Sequence, residues 1–205
     1  MKTISGGVTA PKGFRAAGVY CGVKASHAGV PGTQGKPDLA LIVSDCECTA
    51  AATYTLNRVK AAPLYVTMGH LEDGVCRGIV ANSGNANACA PLSHENAEKM
   101  CELAAAATGL KPQDFAVAST GVIGQTLNIA AIEKGMPMVA GALSYEGSDA
   151  AAHAIMTTDT VKKEIAVTVT IGGKPVTVGA IAKGSGMIRP NMGTMLCFIT
   201  TDCAI

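Results

Sequence analysis

Towards its C-terminal end the chain alternates strand-forming apolar residues with small or polar ones. Ile165, Val167, Val169 and Ile171 are spaced by Ala or Thr, a Gly172-Gly173 pair follows, and Val176, Val178 and Ala180 resume the alternation. Successive strand side chains point to opposite faces and a Gly-Gly pair supplies the backbone of a tight turn, so 164–184 is predicted as a hairpin. A further strand is predicted from Met195 over "MLCFITTD". Elsewhere the apolar runs do not alternate. "DLALIVSD" at 38–45 reads as a strand buried on both faces. "CRGIVANSGNANACA" at 76–90 starts as a strand and becomes a Gly/Asn loop at Asn82, and "DFAVAS" at 114–119 is a strand followed at once by "TGVIG". "AATYTLNRVKAAP" at 51–63 reads as another strand, leaving through Asn57-Arg58 towards Pro63.

Between these strands the period changes to that of a helix. Ala97, Met100, Cys101, Ala104 and Ala107 recur on one helical face, with Ser93 as the expected N-cap, Glu95 in the first turn and Gly109 as C-cap. A second helix is predicted from about Asn128, weakened or kinked by Gly135 and Pro137. "SDAAAHAIMTTDT" at 148–160 predicts a third, shorter helix running into a Thr-rich loop. Hairpins together with helices between strands give the fold class α/β (α+β), sheets covered by Ala-rich helices in layers.

Composition sharpens this picture. Aromatic residues are 3% of the 205 and tryptophan is absent, so the core must be built from Ala, Val, Ile, Leu and Met. The 16 basic residues are scattered and the net charge is +1, which argues against a nucleic-acid partner. The apolar runs are too short to span a bilayer. "MKTISGGVTAPKGF" lacks the apolar middle of a signal peptide and the Arg-rich helix of a transit peptide, so a cytoplasmic location is expected. With no export signal the eight cysteines are expected as reduced thiols, and Cys46 and Cys48 should share one sheet face. No CxxC or HxxxH spacing supports a metal, and no GxGxxG or GxxxxGK[ST] supports a nucleotide cofactor.

The segment "IRPNMGTMLCFITTD" at 188–202 sets Gly193-Thr194 between a Pro-Asn loop and an apolar strand. A strand start explains it. So does a nucleophile created by cleavage: a threonine hydroxyl needs a base, and breaking the bond before Thr194 would give that residue its own α-amino group. Such an amine has a pKa of about 7.7–8.0 and is partly neutral near pH 7.

Six stretches in order extend the second reading over the whole chain: "GGVTAPKGFRAAGV", "NRVKAAP", "ANSGNAN", "STGVIG", "AIMTTDT" and "KGSGMIRPNMGTMLCFITTD". Together they resemble the ornithine acetyltransferase (glutamate N-acetyltransferase) family of arginine biosynthesis. The resemblance implies a layered fold of the N-terminal-nucleophile kind and a precursor that cuts itself between Gly193 and Thr194. Residues 1–193 would then be an α-chain domain and 194–205 the start of the β chain. It further implies that Thr194 is the acyl carrier, that Thr120 and Gly121 form the oxyanion hole, and that Thr157, Lys183 and Thr194 bind substrate. The acetyl group would pass from N-acetylornithine to glutamate with no cofactor, acetyl-CoA being left open as a second donor. The partners implied are the β chain of the same precursor, in an αβ hetero-oligomer such as a heterotetramer, and the small-molecule substrates.

Two features depart from the family's pattern. The residue before Thr194 is Gly rather than the commoner Ala, and the chain runs on twelve residues past Gly193, where a matured α chain is expected to stop. The family's second half, with further substrate-binding residues, is expected beyond this sequence. Two other functions stay open on sequence grounds: an amidase or aminopeptidase with the same N-terminal threonine, and a non-catalytic subunit that never cleaves. The Asn-Gly loop at 82–87 is expected to be architectural, Asp159 reads as a loop or capping residue beside Thr157, and the four histidines carry no assigned role.

Overall fold

The structure, a computed structural model, describes residues 1–26, 35–186, 192 and 195–204. In chain order its elements are β1 (Lys2–Ile4), β2 (Phe14–Val19), β3 (Leu39–Thr49), α1 (Ala62–His70), β4 (Val75–Asn85), α2 (Ser93–Thr108), β5 (Phe115–Val122), α3 (Ile129–Gly141), α4 (Ser148–Ile155), β6 (Lys163–Ile171), β7 (Lys174–Lys183) and β8 (Leu196–Thr201). They form two four-stranded sheets, ordered β2-β3-β4-β5 and β1-β6-β7-β8. The pair β4–β5 is parallel and joined through α2, as a parallel connection requires; the other pairs are antiparallel. The layered α/β fold class expected from the sequence is the one observed.

The first sheet is covered on both faces, which explains the unbroken apolar run in β3. Leu39, Leu41 and Val43 join Val80, Phe115 and Val117 against Met100, Ala104, Ile132 and Met136 of α2 and α3. The intervening Ala40 and Ile42 face the other way, onto Ala151, Ala152, Ala154 and Ile155 of α4, with Ile181 of β7 closing the cluster from the second sheet. Helix α4 is therefore wedged between the sheets. It fits because its neighbours are small: a Cβ on Gly18 of β2 would lie 2.1 Å from the Ala150 carbonyl oxygen. An Ala- and Gly-rich chain with few aromatics is what this close packing demands. Two bonds lock the wedge, from the Val8 N–H to Ser148 Oγ (3.0 Å) and from Thr200 Oγ1 of β8 to the Val8 carbonyl (2.8 Å).

Several local expectations change. Residues 51–60 form no strand, since Leu56 and Val59 stand exposed and have no face to bury. Pro63 opens α1, where its missing N–H costs nothing. That helix guards the edge of β5: Thr67 Oγ1 donates to the Val117 carbonyl and accepts from the Val117 N–H. The ladder of β4 runs past Asn82 to Asn85, and β5 runs on to Val122, so Thr120 and Gly121 belong to a strand. Ser93 is the first residue of α2 rather than its cap. The residue before it, Leu92, is left-handed, and Ser93 Oγ donates to the Ala90 carbonyl. Within α2, Ala105 is buried and Ala107 exposed, while Gly109 takes the expected left-handed C-cap. Asn128 caps α3 through its side chain, and Pro137 lies inside that helix, as expected. The hairpin turns at Gly172-Gly173, both at positive φ. Its alternating isoleucines 165 and 171 are exposed, on the sheet face opposite α4; Ala166, Ile181 and Lys183 point inward.

Candidate active site

The site forms where the ends of β4, β5 and β7 and the loop after α4 converge. In β5, side chains alternate between the helical layer and α4, and Thr120 falls on the α4 side beside Ser83 of the parallel β4. Ser83 is fully buried, and its Oγ donates to the Ala154 carbonyl at 2.5 Å. That bond satisfies a carbonyl in the last turn of α4, which no intrahelical donor can reach, and so anchors the loop that carries Thr157.

Lys183 ends β7 with its side chain 2% exposed, and its ammonium donates to Thr120 Oγ1 at 3.1 Å. An ammonium has only donors, so Thr120 must accept here; its own hydroxyl hydrogen remains to be given to another oxygen. Burial pushes the Lys183 pKa below its ordinary value, Asp159 opposes that shift and Lys163 adds to it.

Gly121 follows at a φ of +136°, a backbone that residues with a side chain rarely adopt. A Cβ there would also lie 2.2 Å from the Gly84 carbonyl carbon, so β4 and β5 meet at this point only because residue 121 is glycine; a Cβ on Gly84 would instead press on Lys24.

Thr157 is half-buried in the loop after α4. Its N–H donates weakly to Asp159 Oδ2 at 3.4 Å, and Oδ1 of the same carboxylate accepts from the Gly184 N–H (2.8 Å) and from Lys163 Nζ (2.5 Å). The Asp159 side chain is 3% exposed. Burial opposes its ionisation, yet Lys163 and the two N–H donors hold its pKa below the usual carboxylate range.

Thr120 and Lys183 are thus in direct contact, and Thr157 is linked to the residue after Lys183 through Asp159. Gly193 and Thr194 lie outside the described residues. The strand that follows them pairs Leu196 with Lys183, so the chain two residues beyond Thr194 runs alongside this cluster. Sequence reasoning gave Ser83 only an architectural part within the 82–87 stretch and Asp159 only a loop role. Their signals were faint, a lone small polar residue near the end of an apolar strand and the acid of "TTD". Asn85 and Asn87 hold neighbouring loops by bonds from Asn85 Nδ2 to the Gln125 carbonyl and from Asn87 Nδ2 to the Ser93 carbonyl, an architectural arrangement. Cys46 and Cys48 both approach Ser44 Oγ from one side of β3. The eight cysteines are free thiols, of which Cys76 and Cys101 are buried. Among the described residues, no three His, Cys, Asp or Glu side chains gather as a metal site, and no helix is long and apolar enough to cross a membrane. Clefts lined by Arg15, Asp45 and Arg77, and by Leu103 and Met136, touch none of the cluster.

Comparison with known proteins bears on the fold and the family. The chain is 51% identical over its whole length to the arginine biosynthesis bifunctional protein ArgJ of Symbiobacterium thermophilum, and 48% identical over 98% of its length to ArgJ 1 of a Nostoc strain. It spans about half the length of these curated relatives, 50% and 48% respectively. The fold superposes on the crystal structure of argJ from Bacillus halodurans with a TM-score of 0.82 at 39% identity, covering 95% of this chain and 97% of that one. On the ornithine acetyltransferase of Mycobacterium tuberculosis, solved in complex with ornithine, the TM-score is 0.80 at 41% identity, covering 92% and 97%. A Pyrococcus horikoshii protein, PH0078, shares the fold alone, with a TM-score of 0.57 at 14% identity over 98% of this chain and 66% of that one. Residues 15–205 match the ArgJ family, and the chain belongs to it.

Proposed function

We propose that this chain carries the nucleophile of an acetyltransferase that moves the acetyl group of N-acetylornithine to glutamate, in arginine biosynthesis, through an acetyl-Thr194 intermediate. Maturation starts when Thr194 Oγ1 attacks the Gly193 carbonyl carbon. The peptide becomes an ester by an N-to-O shift, and water hydrolyses the ester to leave a Gly193 carboxylate and a free Thr194 amine. The chain divides there into an α domain, residues 1–193, and a β chain that opens at Thr194 and continues with the half that the relatives possess. The two chains stay paired in a hetero-oligomer, and the protein works in the cytoplasm.

In turnover the new amine accepts the Thr194 hydroxyl proton as the oxygen attacks the acetyl carbonyl. The tetrahedral intermediate collapses by expelling ornithine, whose departing nitrogen takes that proton. Glutamate's neutral amine then attacks acetyl-Thr194, and N-acetylglutamate leaves with the threonine hydroxyl restored. Both intermediates carry an oxyanion, for which the Thr120 hydroxyl and the Gly121 N–H are the donors. Because Lys183 donates to Thr120 Oγ1, the Thr120 hydroxyl hydrogen is left for that oxyanion. Lys183, a buried cation, gains a counter-charge from the α-carboxylate that N-acetylornithine and glutamate share. Thr157 contacts the same substrate from the loop after α4. Acetyl-CoA, entering the same acyl-enzyme, would serve as a second acetyl donor.

The single observation that supports this reading best is the Lys183–Thr120 contact, set beside the strand that leaves Thr194. The test is to incubate the full-length protein with N-acetylornithine, stop the reaction and determine intact masses. A fragment beginning at Thr194 with one acetyl adduct is expected, cleared on adding glutamate with formation of N-acetylglutamate. An uncut protein with no adduct would point to a non-catalytic subunit. Release of free acetate with no N-acetylglutamate would point to an amidase.

A further inference from the structure

The Asp159 carboxylate joins two segments that the proposed site needs in fixed register. On one side is the Thr157 loop, on the other the end of β7 with Lys183 and Gly184. Oδ2 accepts from the Thr157 N–H, Oδ1 from the Gly184 N–H, and the side chain is almost completely shielded from solvent. The approach depends on the residue opposite: a Cβ on Gly184 would stand 3.2 Å from Asp159 Oδ1, tighter than ordinary contact. Next along, a Cβ on Gly186 would stand 2.9 Å from Thr158 Oγ1, so the two segments lie side by side over several residues. Asp159 also attracts the ammonium of Lys183, which has left water for the space between the sheets.

We infer that Asp159 is a positioning residue: its carboxylate ties Thr157 to the strand end bearing Lys183 and so sets the spacing of two substrate-binding groups. The inference rests on the acetyltransferase reading for its catalytic consequence, and on the two N–H bonds alone for the tether. Lys163 neutralises the Asp159 carboxylate from a half-exposed position, where water can replace its ammonium, and its bond ties neither segment to the other. Asparagine at position 159 would keep one acceptor oxygen but turn an NH2 group towards one of the two N–H donors, breaking one link of the tether and removing the charge.

The experiment compares Asp159→Asn and Lys163→Met with wild type in the full-length protein. Hydrogen exchange without substrate is expected to quicken about 10-fold at one of the two amides, Thr157 or Gly184, in D159N, whichever faces the new NH2 group, matching the loss of a hydrogen bond to a charged group. In the same variant the KM for N-acetylornithine and for glutamate should rise by about 10-fold while kcat falls by less than about threefold, and K163M should keep both KM values within about twofold of wild type. Unchanged exchange at both amides overturns the tether, whether or not the wild-type protein transfers acetyl groups. Faster exchange with wild-type KM values, or a fall in kcat and unfolding temperature with KM unmoved, overturns the positioning role. Absence of acetyl transfer by wild type would instead refute the proposed function, and the exchange measurement would still decide the tether.

Discussion

Lys183 of β7 donates its ammonium to the Thr120 hydroxyl of β5 across 3.1 Å, joining strand ends that belong to different sheets. Sixty-three positions separate the two in sequence. The bond brings a cation suited to a carboxylate and a hydroxyl suited to an oxyanion into one buried space.

Lys183 should impose a pH dependence on substrate binding. Its folded pKa lies below the ordinary lysine value of 10.5 because burial disfavours the cation. Between the folded pKa and 10.5 the unfolded chain binds more protons than the native one, so this group adds stability as pH rises through that window. Carboxylate binding has the opposite sign, since it needs the ammonium. The KM for N-acetylornithine is therefore expected to rise with pH from below 10.5. Lys183→Met should raise KM by about 10- to 100-fold at neutral pH, the loss of a hydrogen bond to a charged group, and abolish that rise. Measuring KM against pH for both proteins checks this, and an identical pH profile in the two would remove Lys183 from the substrate site.

Thr120 and Gly121 should fail in different ways. Thr120→Ala deletes one hydroxyl donor and is expected to lower kcat by about 10²–10³-fold. The backbone should tolerate it, since a methyl group remains, and any loss of stability comes from the acceptor that the Lys183 ammonium gives up. Gly121→Ala meets both a left-handed backbone and the Gly84 main chain. Backbone strain of this kind costs about 1–3 kcal/mol, and the clash adds to it, so the unfolding temperature should drop along with activity. Paired thermal unfolding and turnover measurements separate the two effects. A stable, fully active Gly121→Ala protein would contradict the observed backbone.

Thr194→Ala removes the hydroxyl to which the proposed function assigns both maturation and turnover. A single uncut species with no acetyl transfer is expected by gel and intact mass. Cleavage at the same bond in that variant would mean that a different group attacks Gly193.

Much of the fold was legible from side-chain period. The run from Leu39 to Ser44 is buried throughout, the Gly-Gly hairpin turns where expected, α3 starts beside Asn128, and Gly109 takes its capping position. Helix α1 was hidden because Pro63 reads as a breaker until it is known to stand in a first turn, and because Tyr54 and Leu56 mimic strand spacing although Leu56, like Val59, stands exposed. The alternation of β6 fixed that residues 165 and 171 share a face but not which face α4 would cover. The site was legible residue by residue only through the family resemblance. Its geometry was not, because local pattern does not specify which strand ends from two sheets will meet. The contributions of Ser83 and Asp159 lie in a bond to the end of α4 and a bridge between loops, and neither leaves a periodic signal.

The wedge of α4 between the sheets ties fold stability to the site, and Gly18 tests that link. An alanine Cβ at this position would meet the Ala150 carbonyl oxygen at 2.1 Å and the Ala154 Cβ at 2.9 Å. Neither neighbour is the far end of a flexible side chain, so α4 must move away from β2. Overpacking of this kind costs about 1–3 kcal/mol. Because Ala154 is also the residue whose carbonyl Ser83 holds, displacement of α4 should shift the loop carrying Thr157. Gly18→Ala is therefore expected to lower the unfolding temperature and to raise the KM for N-acetylornithine together, although residue 18 lies outside the site. Gly69→Ala is the matching control. Its Cβ would meet nothing within 4 Å in the last turn of α1, and alanine in a helix is favoured over glycine by up to about 1 kcal/mol. That variant should be as stable as wild type or slightly more so, with KM unchanged. If Gly18→Ala loses stability but keeps its KM, α4 does not set the position of the Thr157 loop.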